Sequence, residues 1–221
     1  MTSRGGPRTR DDVRHWLPSQ GVDPGPLAEL NAECLGQLVA RAIESSENAN
    51  NSPMPVLLTT LRAQWGSLPA HAVRRLSTAP FSLFDAGFAS APRWLELRTR
   101  GVHELPQRVE PAFFEPVMAR AITRRMLVYG WHLARSRPRA ACMVFGSTMA
   151  GVESLAACSL VSLEAAADRN ADALRPRWSN QVGFWRELLL AASAGADQRL
   201  HELLLGGVQR LAAETLAAHS P

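Results

Sequence analysis

Six arginines, Arg120, Arg124, Arg125, Arg135, Arg137 and Arg139, fall between Glu115 and Glu153 with no acidic residue among them. Guanidinium groups at this density set up a positive field suited to anions, because the planar fork pairs bidentately with phosphate or carboxylate. Arg120 and Arg124 stand one helical turn apart on one face, while Arg135, Arg137 and Arg139 crowd the connection around Pro138. Each phosphate held in this way releases counterions and makes binding sensitive to salt. The same group is equally able to dock the acidic residues of a partner, and the plainest alternative is a solvated surface in an Arg-rich chain.

Other chemistries find less in the sequence. His15, His71, His103, His132, His201 and His219 are scattered, and none lies four residues from another His, so no metal site is expected. Cys34, Cys142 and Cys158 are far apart and form no C-x-x-C pair, which reads as reduced structural thiols. Phe145-Gly146-Ser147 lacks the flanks of a nucleophile elbow, and Gly206-Gly207 lies inside a helical stripe. His132 beside Trp131 reads as a packed or surface histidine, and Glu187 after Arg186 as an ion-pair member. The expectation is a protein that is not an enzyme and carries no cofactor.

Composition sets the frame for these residues. The chain has 221 residues, 46% of them hydrophobic, enough for one domain or two small ones. Its net charge is +4, its pI is near 9.7, and all 24 basic residues are Arg. That balance permits a nucleic-acid or acidic partner without requiring one. The first residues, MTSRGGPRTRDDVRHW, lack the apolar run of a secretory signal, and no apolar stretch is long enough to span a bilayer. A soluble, cytoplasmic protein is expected.

The elements that must position the arginines follow from periodicity, and the fold class they predict is all-α, a multi-helical bundle. Residues 1–26 read as an N-terminal arm rich in Gly, Pro and Arg. Leu27, Leu30, Leu35, Leu38, Val39 and Ala42 predict a helix over 27–43, which the Ser/Asn/Pro run at 45–53 ends. Helical patterns return at 55–65 and at 69–77, the latter with Ser67 as the expected cap, and Phe81, Phe84, Phe88 and Trp94 form a candidate aromatic core. Gly101, Pro106 and Pro111 mark a linker, placing the domain division near 108 and giving segments 27–108 and 109–221. A long helix is expected over 112–136 with Phe113, Val117, Ala121, Met126, Val128 and Leu133 on its buried face. Shorter helices follow at 138–145, 149–157 and 159–168, then a pair at 180–193 and 196–217.

Within 138–157, Gly146 sits where a helix-turn-helix places its turn glycine. The second helix of that pair, however, offers only Thr148 and Ser154 to base edges, so direct reading of sequence is not expected. Its small residues, Ala150, Gly151, Ala156 and Ala157, instead suit close approach of another helix. GFASAPRWLEL and RWSNQVGFWREL also echo one another: one reading is two related helical halves, in which one chain would imitate a dimer, and the other is two Trp-bearing helical segments alike by composition alone.

The order of features across the second half resembles FlhD, the helical subunit of the bacterial flagellar master transcription regulator. The positions that carry the resemblance are the Leu-rich helix Leu127 to Leu133, Ala141 to Gly146, Leu155 to Ala157, Ser159-Leu160, Asp168 to Asn170, and Pro176-Arg177-Trp178, where Pro replaces the family's first aromatic. Extended loosely, it spans about residues 112–216. What it implies is a non-enzymatic, homo-oligomeric transcription regulator or activator subunit that needs an FlhC-like, zinc-carrying partner to bind promoters well. The extra first half departs from the family, as does Leu174, near the place where some members carry a bridging cysteine. A protein-interaction adaptor or secretion-type chaperone without DNA binding is the alternative.

Overall fold

The structure is a computed structural model that describes residues 24–47, 53–100, 111–169 and 171–218. The expected arm falls almost wholly outside the described residues, and the expected division near 108 lies outside them too. Among the described residues the fold is all-α. In chain order the elements are α1 (Pro24–Glu47), α2 (Val56–Thr60), α3 (Arg62–Gly66), α4 (Ala70–Ser77), β1 (Phe84–Asp85) and α5 (Ala91–Arg100). The second half follows as α6 (Pro116–Ser136), α7 (Pro138–Phe145), α8 (Met149–Ala156), α9 (Leu160–Arg169), a single 3-10 turn at Ala171–Ala173, β2 (Arg175–Pro176) and α10 (Val182–Ser193). A last helix, α11 (Asp197–Ala217), has no counterpart among the described residues of the first half. Among the described residues no single helix is long and apolar enough to cross a membrane.

Residue chemistry explains the boundaries. Pro116 and Pro138 open α6 and α7 in the first turn, where a missing N–H costs no hydrogen bond. Gly146 ends α7 in the left-handed region at φ 56, and Thr148 caps α8 by accepting the Gly151 N–H at 3.1 Å. Ser67 does not cap α4 as the sequence suggests. Pro69 holds the N-cap position and the Ser67 hydroxyl donates back to the Ala63 carbonyl. The helix expected over 55–65 breaks at Leu61, whose backbone leaves helical values at φ −107 and ψ 24 between α2 and α3 while its side chain is fully buried. The buried face of α6 also differs from expectation. Val117, Ala121 and Val128 are exposed, and Ala119, Ile122, Thr123, Met126, Leu127, Gly130, Leu133 and Ala134 are buried, because the helix is packed along a wider stripe than one row of apolar residues.

The two halves repeat one plan. The buried positions of α1, Leu27, Leu30, Asn31, Cys34, Leu35, Leu38 and Ala42, recur in α6 as Ala119, Ile122, Thr123, Met126, Leu127, Gly130 and Ala134, each pair 92 residues apart. Farther along the separation is 91, matching Leu76 to Ala167, Leu83 to Leu174, Trp94 to Trp185, Leu97 to Leu188 and β1 to β2. β1 and β2 pair antiparallel, Phe84 opposite Pro176 and Asp85 opposite Arg175, a register in which each pair is the other's equivalent under a two-fold rotation. The fifth helix of each half crosses over: α5 packs on α8 and α9, and α10 packs on α3 and α4. Trp185 on α10 is fully buried 5.6 Å from Trp65 on α3, and Trp94 on α5 is buried with its carbonyl facing the Cys158 thiol. The segments expected as two domains therefore share one continuous core.

Gly130 shows how tightly that core is closed. A Cβ there would stand 2.5 Å from Phe88 Cε1, and Phe88 cannot retreat because it stacks on Phe145 with ring centroids 4.1 Å apart. Gly130→Ala gains up to about 1 kcal/mol of helix propensity but overpacks the site by about 1–3 kcal/mol. The urea midpoint should fall with its slope unchanged. Because the fifth helices are exchanged, fragments made by opening the chain between Leu105 and Pro106 should copurify when coexpressed. Two fragments that each fold alone and stay apart on a sizing column would contradict the exchange.

Candidate functional site

All six arginines singled out from the sequence are exposed, on α6 and at the corner where α6 meets α7. The structure divides them. Arg124 pairs with Asp168 on α9 at 3.2 Å, and Arg125 pairs with Glu33 on α1. The stretch free of acids in sequence is thus supplied with two carboxylates by the fold, and the field is weaker there than the sequence implies. Both pairs are solvated and are worth at most about 1 kcal/mol each, so an incoming anion competes with them at small cost. Arg120 folds its Nε back to the Pro116 carbonyl at 3.3 Å, at the other end of α6.

Arg135, Arg137 and Arg139 form the remaining cationic corner. The Arg135 guanidinium lies over the Trp131 ring at 4.6 Å, and the Trp131 indole is fixed by donating to the Cys158 carbonyl at 2.9 Å. Stacking holds the guanidinium plane while leaving its edge open to an anion. Beside it, Ala134, Pro138, Met149, Glu153 and Ala156 line a shallow groove of about 620 Å³. Thr148 and Ser154, the two polar residues of α8 considered for base contact, are both buried. Gly151 is buried as well, and α8 packs against α5 and α6 of the same chain. Of the small residues expected to admit another helix, only Gly151 is buried within the molecule, while Ala156 is half-buried and Ala150 and Ala157 are exposed.

Two further arginines, to which the linear pattern assigns no role, are buried at the two-stranded ribbon. Arg177 donates from Nε to the Ser82 carbonyl at 2.8 Å and from an Nη to the Phe145 carbonyl at 2.6 Å, with Asp85 at 3.8 Å. Burial lowers its pKa, with Asp85 and Glu214 opposing. Arg93, fully buried, donates to the Ala86 carbonyl at 2.5 Å, and burial lowers its pKa to about 10 against the pull of Asp85. It remains charged at neutral pH. Asp85 accepts from the Gly87 and Phe88 N–H groups, each at 3.0 Å. Arg177 did lie inside the Pro-Arg-Trp triplet noted in the sequence, but nothing in a linear pattern separates a buried guanidinium from a solvated one. Asn31 is a third silent residue: its amide donates to the Ser77 and Phe81 carbonyls and its oxygen accepts from Leu83 N–H, seating the chain before β1.

The cysteines are free, and the Cys34 thiol is held far above its ordinary pKa by burial and then by Glu33, while Arg125 opposes. Burial raises Cys142 also. Neither is a thiolate at neutral pH, which removes the nucleophilic form. Arg177→Met should strand the Ser82 and Phe145 carbonyls in the core and lower unfolding free energy by about 2–4 kcal/mol, read by urea titration. A loss below 1 kcal/mol would mean the two carbonyls reach water. No family model, no curated protein and no solved structure matches this chain.

Proposed function

We propose that this chain is a non-enzymatic, cytoplasmic regulatory subunit of the FlhD type, acting by assembly with a partner and by contact with DNA phosphates through its arginine corner. The observation that carries the reading is the helix-exchanged pair of repeats within one chain. A subunit that would otherwise associate with a second copy has that association built in, and the extra first half, which departs from the family pattern, becomes the second copy. Arg135, Arg137 and Arg139, with Arg120 farther along α6, supply the phosphate contacts. Arg124 and Arg125 join them where DNA displaces Asp168 and Glu33. An FlhC-like subunit is the expected partner, and transcription of motility or secretion genes the expected target. With Thr148 and Ser154 buried, binding is governed by backbone charge rather than base identity.

A second reading, an adaptor that contacts proteins alone, is favoured by the apolar lining of the groove beside Arg135. A mobility-shift titration of a random-sequence duplex across a salt series separates the two. Binding should weaken with added salt, and Ala at Arg135, Arg137 and Arg139 together should reduce the slope of log affinity against log salt by about 2–3. Equal slopes for the parent and the triple variant would remove DNA contact from this corner and leave the adaptor. The parent should sediment as a monomer of 24.1 kDa.

A further inference from the structure

The internal two-fold gives a way to find a site, because a position where two repeats have diverged in shape is one where they no longer do the same task. Gly87 and Trp178 are equivalent, 91 residues apart, and both lie in the left-handed region, at φ 84 and φ 51. Glycine accepts that conformation freely. Tryptophan does not, and a bulky side chain held there is strained by about 1–3 kcal/mol. In the first half the space beside Gly87 is closed, since the buried Arg93 guanidinium sits where a Cβ would stand. In the second half Phe184 replaces Arg93 at the equivalent position, and Trp178 turns outward against Phe184 and Phe81, at 5.2 and 5.8 Å between ring centroids.

The result is a cavity of about 330 Å³ beside the ribbon, walled by Trp178 and lined by Arg175, Arg177, Ser179, Asn180 and Glu214. Glu214 comes from α11, which no helix among the described residues of the first half matches, and it fixes the ring by accepting the Trp178 indole N–H at 2.6 Å. The lining groups differ in how far they are committed. Asp85, also at the wall, is occupied by two backbone N–H groups and Arg177, and Arg177 by two carbonyls. Arg175, half-buried on β2, and the side chains of Ser179 and Asn180 make no hydrogen bond or ion pair within the described residues. Uncommitted donors thus share the wall with Glu214, whose second oxygen is unused by the indole.

We infer that this cavity binds a free α-amino acid. Its carboxylate would take the bidentate fork of Arg175 with the Asn180 amide, its ammonium would face Glu214, and its side chain would lie on the Trp178 ring. A small pocket lined by a guanidinium and an amide together with a carboxylate offers a partner to each charge of a zwitterion of this size. The inference does not depend on the arginine corner, which lies on α6 and α7, and it would make the protein a carrier of an effector signal as well as an assembly subunit.

The test is calorimetric titration of the intact chain with each proteinogenic amino acid, with des-amino carboxylic acids and with inorganic phosphate as comparison probes. At least one amino acid should bind, and Arg175→Met and Asn180→Ala should each weaken it by about tenfold or more. Both changes sit at a solvated rim and leave the core intact, which the thermal unfolding of the free variants checks. Arg199→Met, an exposed ion-pair member on α11, should bind like the parent. The inference is overturned by no binding at millimolar amino acid, by affinity unaltered in both rim variants, or by a des-amino acid or phosphate binding as tightly as the amino acid. DNA affinity, measured on the same variants, reports separately on the function proposed above.

Discussion

Each half of this protein lacks a piece of its own core. Three short helices around a long one leave a seat that the half's own fifth helix does not fill, and a buried tryptophan from the other half enters it, Trp185 against Trp65 and Trp94 beside Cys158. Burying an indole removes one of the largest apolar surfaces the chain has, so exchanging two of them commits the repeats to one another. The antiparallel ribbon, the enclosed Arg177 and the seating of the chain by Asn31 all lie where the exchange brings the halves together. Without it none of these groups would be dry.

The exchange also orders the energetics of the charged residues. Buried guanidiniums such as Arg93 and Arg177 are costly unless carbonyls and a carboxylate receive them, and Asp85 is placed near both by the turn after β1. The exposed arginines of α6 and α7 bear no such cost, which leaves them available for solvent, acids or phosphate. Position therefore separates arginines that hold the fold from arginines that face outward.

Much of the fold could be read from the sequence because helical periodicity and Gly/Pro punctuation are local signals. The long helix before Pro138, the stop at Gly146 and the burial of Phe81, Phe84, Phe88 and Trp94 all follow from them. The echo around the two tryptophans was audible as well, but only coordinates align Leu27 with Ala119 or Gly87 with Trp178, since repeats that conserve burial need not conserve identity. The acids facing Arg124 and Arg125 were invisible for another reason: Glu33 and Asp168 are remote in sequence, and ion pairs carry no periodicity. The face of α6 misled because Val117 is apolar yet lies outside the packed stripe.

The choice of guanidinium over amine at the α6–α7 corner has one last consequence. These 221 residues contain no lysine, so side-chain acetylation, which silences a cationic surface by neutralising an amine, has nothing to act on here. Nor does ordinary variation in acidity discharge an exposed arginine. The surface is electrically permanent, and only ionic strength or a competing polyanion in the cell can retune it.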